Sequence, residues 1–254
     1  MIEVILNSIK NNGLITAFAV IGITMYISHF VSVKFTKGRV HGSAIAILIG
    51  LILAYFGGLH TGGQKGLADI QMFSGIGLMG GGMLRDFAIV ATVFGAKFEE
   101  LKKVGLIGVV SILVGTVVPF VIGVVVAYSF GYRDPVSLTT IGAGAITYIV
   151  GPVTGAAIGA NSTVMALSIA AGVIKSICVM ISTPYVAKAV GLTNPRTAVI
   201  FGGAMGTASG VAGGLAATNP RLVPYGAMGA TFHTGVGCLL CPSILFIATK
   251  LIFG

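Results

Sequence analysis

An all-α protein that crosses the membrane many times is what this sequence predicts, and three observations predict it. Hydrophobic residues make up 56% of the 254 residues and charged residues only 8%, against roughly 25% charged in a soluble domain. Mean hydropathy is +1.03. The apolar residues also fall into runs of about 20, the length a helix needs to cross a hydrocarbon core of about 30 Å. The expectation is one membrane domain over residues 1–254 with about eight transmembrane elements, within a range of about seven to nine. The net charge of +9 is spread over short loops, where basic residues set membrane orientation. Nucleic-acid binding is therefore excluded as its purpose.

The N-terminal spans occupy residues 14–130. The opening residues hold Glu3 and Lys10 and lack a small-residue cleavage site, so the first apolar run is expected to be a span, not a removed leader. That run, 14–33, ends at Lys34, Lys37 and Arg39. The second, 42–58, empties into a polar loop at 60–69. The third, 71–96, is interrupted by Gly80, Gly81 and Gly82 and by Arg85-Asp86. This last pair reads equally as an intramembrane ion pair or as the end of a shorter span. A loop carrying Lys97, Lys102 and Lys103 precedes a clean span at 104–130. Placing both lysine-rich loops in the cytoplasm puts the N-terminus and the 131–135 loop outside. The C-terminus is also outside if every later element crosses.

The second half, 136–254, is chemically different. From Pro135 to Gly254 there is no Asp or Glu, while Lys175, Lys188, Arg196, Arg221, Lys250 and His233 all lie there. Membrane-buried carboxylates are the usual proton relays and cation partners, so their absence points to an anion as cargo. Residues 163–190 and 225–253 read as ordinary spans. Residues 136–160 and 198–217 do not.

Two Gly-rich segments, 139–154 and 201–214, carry the functional signal. Gly151-Pro152 removes an amide hydrogen and disfavours continuous helix, so the first is expected to unwind there. Gly202, Gly203, Gly206, Gly210, Gly213 and Gly214 make the second a similar candidate. Irregular backbone survives in a membrane only when buried in protein or lining a cavity. Unwinding exposes half-helix N-termini to an anion and free carbonyls to Na⁺. The competing reading is close helix packing, since Gly202, Gly206, Gly210 and Gly214 form an i, i+4 ladder.

The candidate substrate-binding residues are Thr147, Tyr148, Gly151, Pro152, Thr154, Asn161, Thr207, Ser209, Gly210, Arg221 and His233. Thr147, Thr154, Thr207 and Ser209 supply hydroxyls for Na⁺. Asn194-Pro-Arg196 and Asn219-Pro-Arg221 repeat a tripeptide that reads as a helix-boundary turn, or as a guanidinium meeting a dicarboxylate. Lys175 lies mid-span and is free to pair with a substrate or a partner subunit. His233 is ordinary as a satisfied core histidine. Cys178, Cys238 and Cys241 sit in apolar runs, where a thiol behaves as a small hydrophobe. The C-x-x-C at 238–241 lacks the second ligand pair of a zinc site, and no organic cofactor is expected. No Ser/His pair stands at nucleophile-like spacing, which argues against an enzyme.

The motifs Gly203-Ala-Met-Gly-Thr-Ala-Ser209, Asn219-Pro-Arg221 and Thr231-Phe-His-Thr-Gly235, with the length and span count, resemble the malonate/sodium symporter MadM subunit family. The resemblance covers the whole chain. It implies Na⁺-coupled malonate import at a bacterial inner membrane, by alternating access, with Na⁺ as coupling ion. It also implies a smaller membrane partner subunit, MadL, and admits a higher oligomer of that heterodimer. The expected architecture is an inverted-repeat, elevator-like core with two discontinuous helices. A more distant likeness is to the LrgB/CidB group, which acts on export or cell-wall turnover. That group carries His directly after the Gly-Thr-Ala-Ser core, where Gly210 stands here. A passive anion channel is the other alternative, although channels favour rings of basic residues.

Overall fold

The computed structural model describes residues 7, 10–37, 40, 42–62, 66–79, 99, 102 and 104–254. All the regular elements among them are helical. The Arg85-Asp86 pair, the glycines at 80–82 and most of the third expected span and its lysine-rich loop lie outside the described residues. The chain divides into two compact units, Met1–Ala91 and Thr92–Gly254.

In the first unit, helix α1 (Gly13–Thr36) and helix α2 (Gly42–Thr61) form an apolar pair. Lys37 ends α1 in the left-handed conformation, with φ 51°, and Ser32 Oγ donates to the Val40 carbonyl at 2.5 Å. These contacts turn the chain toward α2. Two 3-10 turns (Gly66–Asp69 and Gln71–Phe73) and a short helix α3 (Gly75–Met79) follow.

The second unit opens with α4 (Gly105–Ser129). One face shows Leu106, Val110, Val114, Val121 and Val125 outward, while Phe120 and Val124 are buried. Small residues bring α4 close to its neighbours. A Cβ built on Gly115 would lie 2.5 Å from the Gly203 and Ala204 carbonyl oxygens, and one on Gly123 2.9 Å from Gly142 Cα.

Helix α5 (Pro135–Ile146) starts where Asp134 accepts the Ser137 N–H at 2.8 Å, with Pro135 in the first turn. This is a strong N-terminal signal. It ends at Thr147, whose backbone is extended (φ −163°, ψ 152°). Helix α6 (Val150–Ile158) then folds back along α5. A Cβ on Gly151 would sit 2.9 Å from Gly144 Cα, and one on Gly155 2.9 Å from Thr140 Cγ2. A collinear helix would hold these pairs far apart, so α5 and α6 are the limbs of a tight hairpin. The expected break at Gly151-Pro152 falls instead at 147–149. Pro152 occupies the first turn of α6, where amides have no intrahelical partner and a missing N–H costs little.

Helix α7 (Ser162–Val186) is capped by Asn161, which accepts the Val164 N–H at 2.9 Å. It runs antiparallel to α6, with Gly151 at Ser168 and Gly155 at Met165. Helix α8 (Pro195–Met205) begins with a reciprocal capping box between Asn194 and Thr197 and stops at Gly206, φ 72°. Helix α9 (Ala208–Ala216) runs parallel to α7, with Gly210 against Ser176, Gly213 against Met180 and Gly214 against Thr183. A 3-10 turn (Pro220–Leu222) leads into α10 (Val223–Leu240), which passes through a π turn (Cys241–Leu245) into α11 (Phe246–Phe253).

Helix α8 runs parallel to α10: Gly226 faces Ala198, and Gly206 faces His233. Gly226 also touches Val211 and Leu215 of α9. Helices α8 and α9 therefore form a second hairpin, splayed around α10 and entered from the opposite end of α7 to the first. The Gly202–Gly214 ladder is cut at Gly206 and is not one helix face. Gly202 packs on Gly226, whereas Gly210 packs on Ser176. Each hairpin has its own core: Leu138, Ile141, Ile146, Val150 and Phe120 for the first, and Val199, Phe201, Val211, Leu215 and Tyr225 for the second.

Among the described residues, four segments are long and apolar enough to cross a membrane: Gly13–Thr36, Gly105–Ser129, Thr163–Val186 and Pro220–Phe253. The hairpins predict paired accessibility. In a chain with its three cysteines replaced by alanine, Arg133→Cys and Ala160→Cys should react with a membrane-impermeant maleimide from one side. Val190→Cys and Thr218→Cys should react from the other side. Labelling of Arg133→Cys and Ala160→Cys from opposite sides would contradict the first hairpin.

Candidate functional site: two hairpin tips

The tip of the first hairpin is residues 147–149 and that of the second is Gly206-Thr207. Both are reached from matching starts. Asp134-Pro-Val-Ser137 and Asn194-Pro-Arg-Thr197 cap α5 and α8 alike, and Thr147 and Thr207 follow them at the same spacing.

Both tips converge on the middle of α7, about one helical turn apart. A Cβ on Gly172 would collide with the Tyr148 backbone, and Ser176 Oγ is hydrogen-bonded to Thr207 Oγ1. They also meet α10 about one turn apart. A Cβ on Gly237 would lie 3.0 Å from Val150 Cγ2, and one on Gly206 would strike the His233 ring. Gly206 therefore has two reasons to be glycine, its positive φ and the imidazole against it.

Each tip brings together the carbonyl end of one half-helix and the amide end of the next. The partial negative charge at the carbonyl ends is met by nitrogen. Lys175 Nζ donates to the Ile146 carbonyl at 2.6 Å, and His233 Nδ1 is 2.7 Å from the Gly203 carbonyl. A carbonyl only accepts, so Nδ1 carries the hydrogen in neutral His233 and Nε2 presents a lone pair. His233 is 0% exposed, and its Nε2 has no partner among the described residues.

The amide ends are arranged differently. Thr207 Oγ1 accepts the Gly210 N–H at 3.3 Å and its carbonyl the Val211 N–H at 2.9 Å. The Ala208 and Ser209 amides stand in the opening turn, where no intrahelical carbonyl is available. In the first hairpin the Thr147 carbonyl takes the Val150 N–H at 3.0 Å. Such amide ends favour negative charge, and the effect strengthens where water is excluded.

The structure gathers Thr147, Tyr148, Gly151, Pro152, Thr207, Ser209, Gly210 and His233 at or within one turn of the tips. Thr154 is fully buried further along α6, beside the Cys241 thiol. Asn161 and Arg221 are not brought there. Asn161 is an exposed cap beyond the far end of α6. Arg221 is exposed in the turn after α9, whose nine residues span roughly 13 Å. Both Asn-Pro-Arg tripeptides form boundary turns; Asn219 Oδ1 accepts the Arg221 N–H at 3.2 Å. Ser176, which was not among the candidates, joins the tips, as does Lys175, which the sequence left free to pair with a substrate or a partner subunit. The available signal was a lysine in mid-span within a carboxylate-free half. The three cysteines are free thiols.

Several apolar membrane-length helices with two folded-back hairpins between them define a multi-pass membrane protein with a polar centre inside its bundle. The chain belongs to the malonate/sodium symporter MadM subunit family, whose model matches residues 5–253. It is thus a member of a transporter-subunit family. No curated protein and no solved structure matches it.

Thr207 joins the second tip to α7 through its hydroxyl, so Thr207→Val should lower stability by about 1–2 kcal/mol. Thr207→Ser, which keeps the hydroxyl, should stay within about 0.5 kcal/mol of the parent. Thermal unfolding of the detergent-solubilised protein measures both.

Proposed function

We propose that this chain is the malonate-translocating subunit of a Na⁺-coupled importer, and that the two hairpin tips form its substrate site. The observation that carries this reading is the convergence of two hairpins, entered from opposite ends of α7, in a half of the protein without a carboxylate. Malonate is a small dianion, and desolvating two charges costs several kcal/mol each unless each is matched. The amide ends of α6 and α9 supply positive potential on two sides of the meeting point. Tyr148 and Ser209 stand beside them as donors.

Sodium prefers oxygen, and the tips are rich in it. The carbonyl ends of α5 and α8, with the hydroxyls of Thr147, Thr207 and Ser209, are the donor set in this reading, and Thr154 adds a hydroxyl further along α6. No carboxylate contributes, so the substrate's own oxygens complete the shell and the two ligands favour each other. His233 takes a different part from a carboxylate donor: with Nδ1–H committed to Gly203, its Nε2 faces a cation, a water or a donor. Gly151 and Gly210 serve by letting the hairpins approach α7.

The hairpins are re-entrant from the two membrane faces, which makes the second unit an inverted pair of hairpin-plus-span repeats. Together with the spans of the first half this keeps about eight membrane elements. Lys188, Arg196 and Arg221 then gather at the face from which the second hairpin enters, and the positive-inside rule makes that face cytoplasmic. Arg221 lies at the inner mouth and Asn161 at the outer one. Transport is by alternating access, with the hairpins in a moving, elevator-like body and a small MadL-like partner subunit helping to form the fixed wall, in a bacterial inner membrane.

Proteoliposomes holding this chain and its partner should accumulate radiolabelled malonate when an inward Na⁺ gradient is imposed, and should exchange it in counterflow. No accumulation under any Na⁺ gradient would sink the assignment. Passive equilibration without counterflow would indicate a channel.

A further inference from the structure

Lys175 is out of keeping with the rest of the tip region. It lies in the middle of α7, and its ammonium donates to a neutral acceptor, the Ile146 carbonyl at 2.6 Å. There is no Asp or Glu from Pro135 to the end of the chain to neutralise it. The matching place at the second hairpin is held by an imidazole: His233 Nδ1 bonds to the Gly203 carbonyl at 2.7 Å. One hairpin thus has its carbonyl end held by a full positive charge on a flexible stem, and the other by a ring fixed against Gly206.

The carbonyl end of a half-helix carries partial negative charge and is where an unwound span holds an alkali cation. We infer that the Lys175 ammonium is a tethered cation holding a Na⁺ position at the Ile146 carbonyl, and that malonate draws it away. A carboxylate arriving at the tips is a better partner for an ammonium than a lone amide oxygen, because both groups are charged. The four-carbon stem lets Nζ turn from Ile146 to the substrate without moving α7. Ile146 is then left with an unpaired buried carbonyl, which is unfavourable until a cation takes it. Sodium fills the vacated place. Malonate binding therefore creates the Na⁺ site, and Na⁺ keeps Lys175 on malonate. His233 cannot leave in the same way, so the exchange belongs to the first hairpin alone.

This inference rests on the reading of the tips as a malonate and Na⁺ site, and the test separates the two. Malonate binding to the purified complex with its partner subunit is measured by titration calorimetry in Na⁺ and in choline. Thermal unfolding is followed with Na⁺ alone. In the parent, Na⁺ should tighten malonate by about tenfold or more, and Na⁺ alone should stabilise little. Lys175→Met should weaken malonate about tenfold and reduce the Na⁺ effect on it to below about twofold. The same variant should gain stability from Na⁺ alone, because the carbonyl is open from the start. Lys175→Arg should keep the coupling. If the methionine variant does not fold, Lys175→Gln, which keeps a donor but not the charge, takes its place.

The tether is overturned if the charge-removing variant keeps the parent's Na⁺ effect on malonate, or if Na⁺ alone stabilises parent and variant equally. A parent that binds no malonate in either salt overturns the functional reading instead. The Na⁺-alone comparison still decides for or against the tether.

Discussion

A hairpin that stops inside a membrane bundle must satisfy its backbone there without bulk water, and the second half of this protein is organised around that requirement. Two tips leave two sets of carbonyls and two sets of amides near one another. The carbonyl sides are met by Lys175 at Ile146 and His233 at Gly203. On the amide side of the second tip, the Thr207 hydroxyl takes the Gly210 N–H. The glycines follow from the same constraint. Gly144, Gly151 and Gly172 let the first tip lie directly against α7, where a Cβ would meet Ser168 or Tyr148. Packing and function were competing explanations of these glycines. The geometry shows the packing, and that close approach is what brings the polar ends to a common point.

Much of the fold was legible in the sequence because membrane thickness imposes a length and a polarity on every span. The run at 104–130 became α4 within one residue at each end, and 14–33 became α1, which runs three residues further to Thr36. Gly-Pro at 151–152 and the glycines at 202–214 lie in the two segments whose helices break off, at 147–149 and at 206–207. Their form was not legible. A broken helix that crosses and a hairpin that returns have the same composition; the difference lies in whether Gly155 meets Thr140, a contact between limbs. Nor does proline mark the break itself, because first-turn positions tolerate it. The real punctuation was the extended Thr147 and the left-handed Gly206.

The candidate site divides along the same line. Residues within the Gly-rich segments, such as Thr147, Thr207 and Ser209, came out at the tips because irregular segments define the polar centre. Arg221 and Asn161 did not, because a helix cap and a turn produce the same Asn-Pro and Asn-Ser patterns as a ligand site. Ser176 carried no signal of its own, since one serine in a long apolar helix is commonplace. The duplication was also in plain view. Asp134-Pro-Val-Ser137 and Asn194-Pro-Arg-Thr197, each leading to a threonine at the same distance, mark two equivalent hairpins. The two tripeptides at 194 and 219 are alike in sequence, but both are only boundary turns.

The two hairpins are equivalent in sequence but unlike as mechanical parts. The limbs of the first pack on each other, so it is one closed piece, held between α4 at Gly142 and α7 at Gly144 and Gly151. The limbs of the second lie on different sides of α10, with Gly226 in contact with both. A closed piece can part from its neighbours as one body. A fork cannot withdraw from the helix it grips without carrying that helix along. In the transport cycle proposed above, the two faces of the membrane would therefore be governed by bodies of different kind: a single closed hairpin on one side, and on the other a block that includes α10 and the His233 fixed within it.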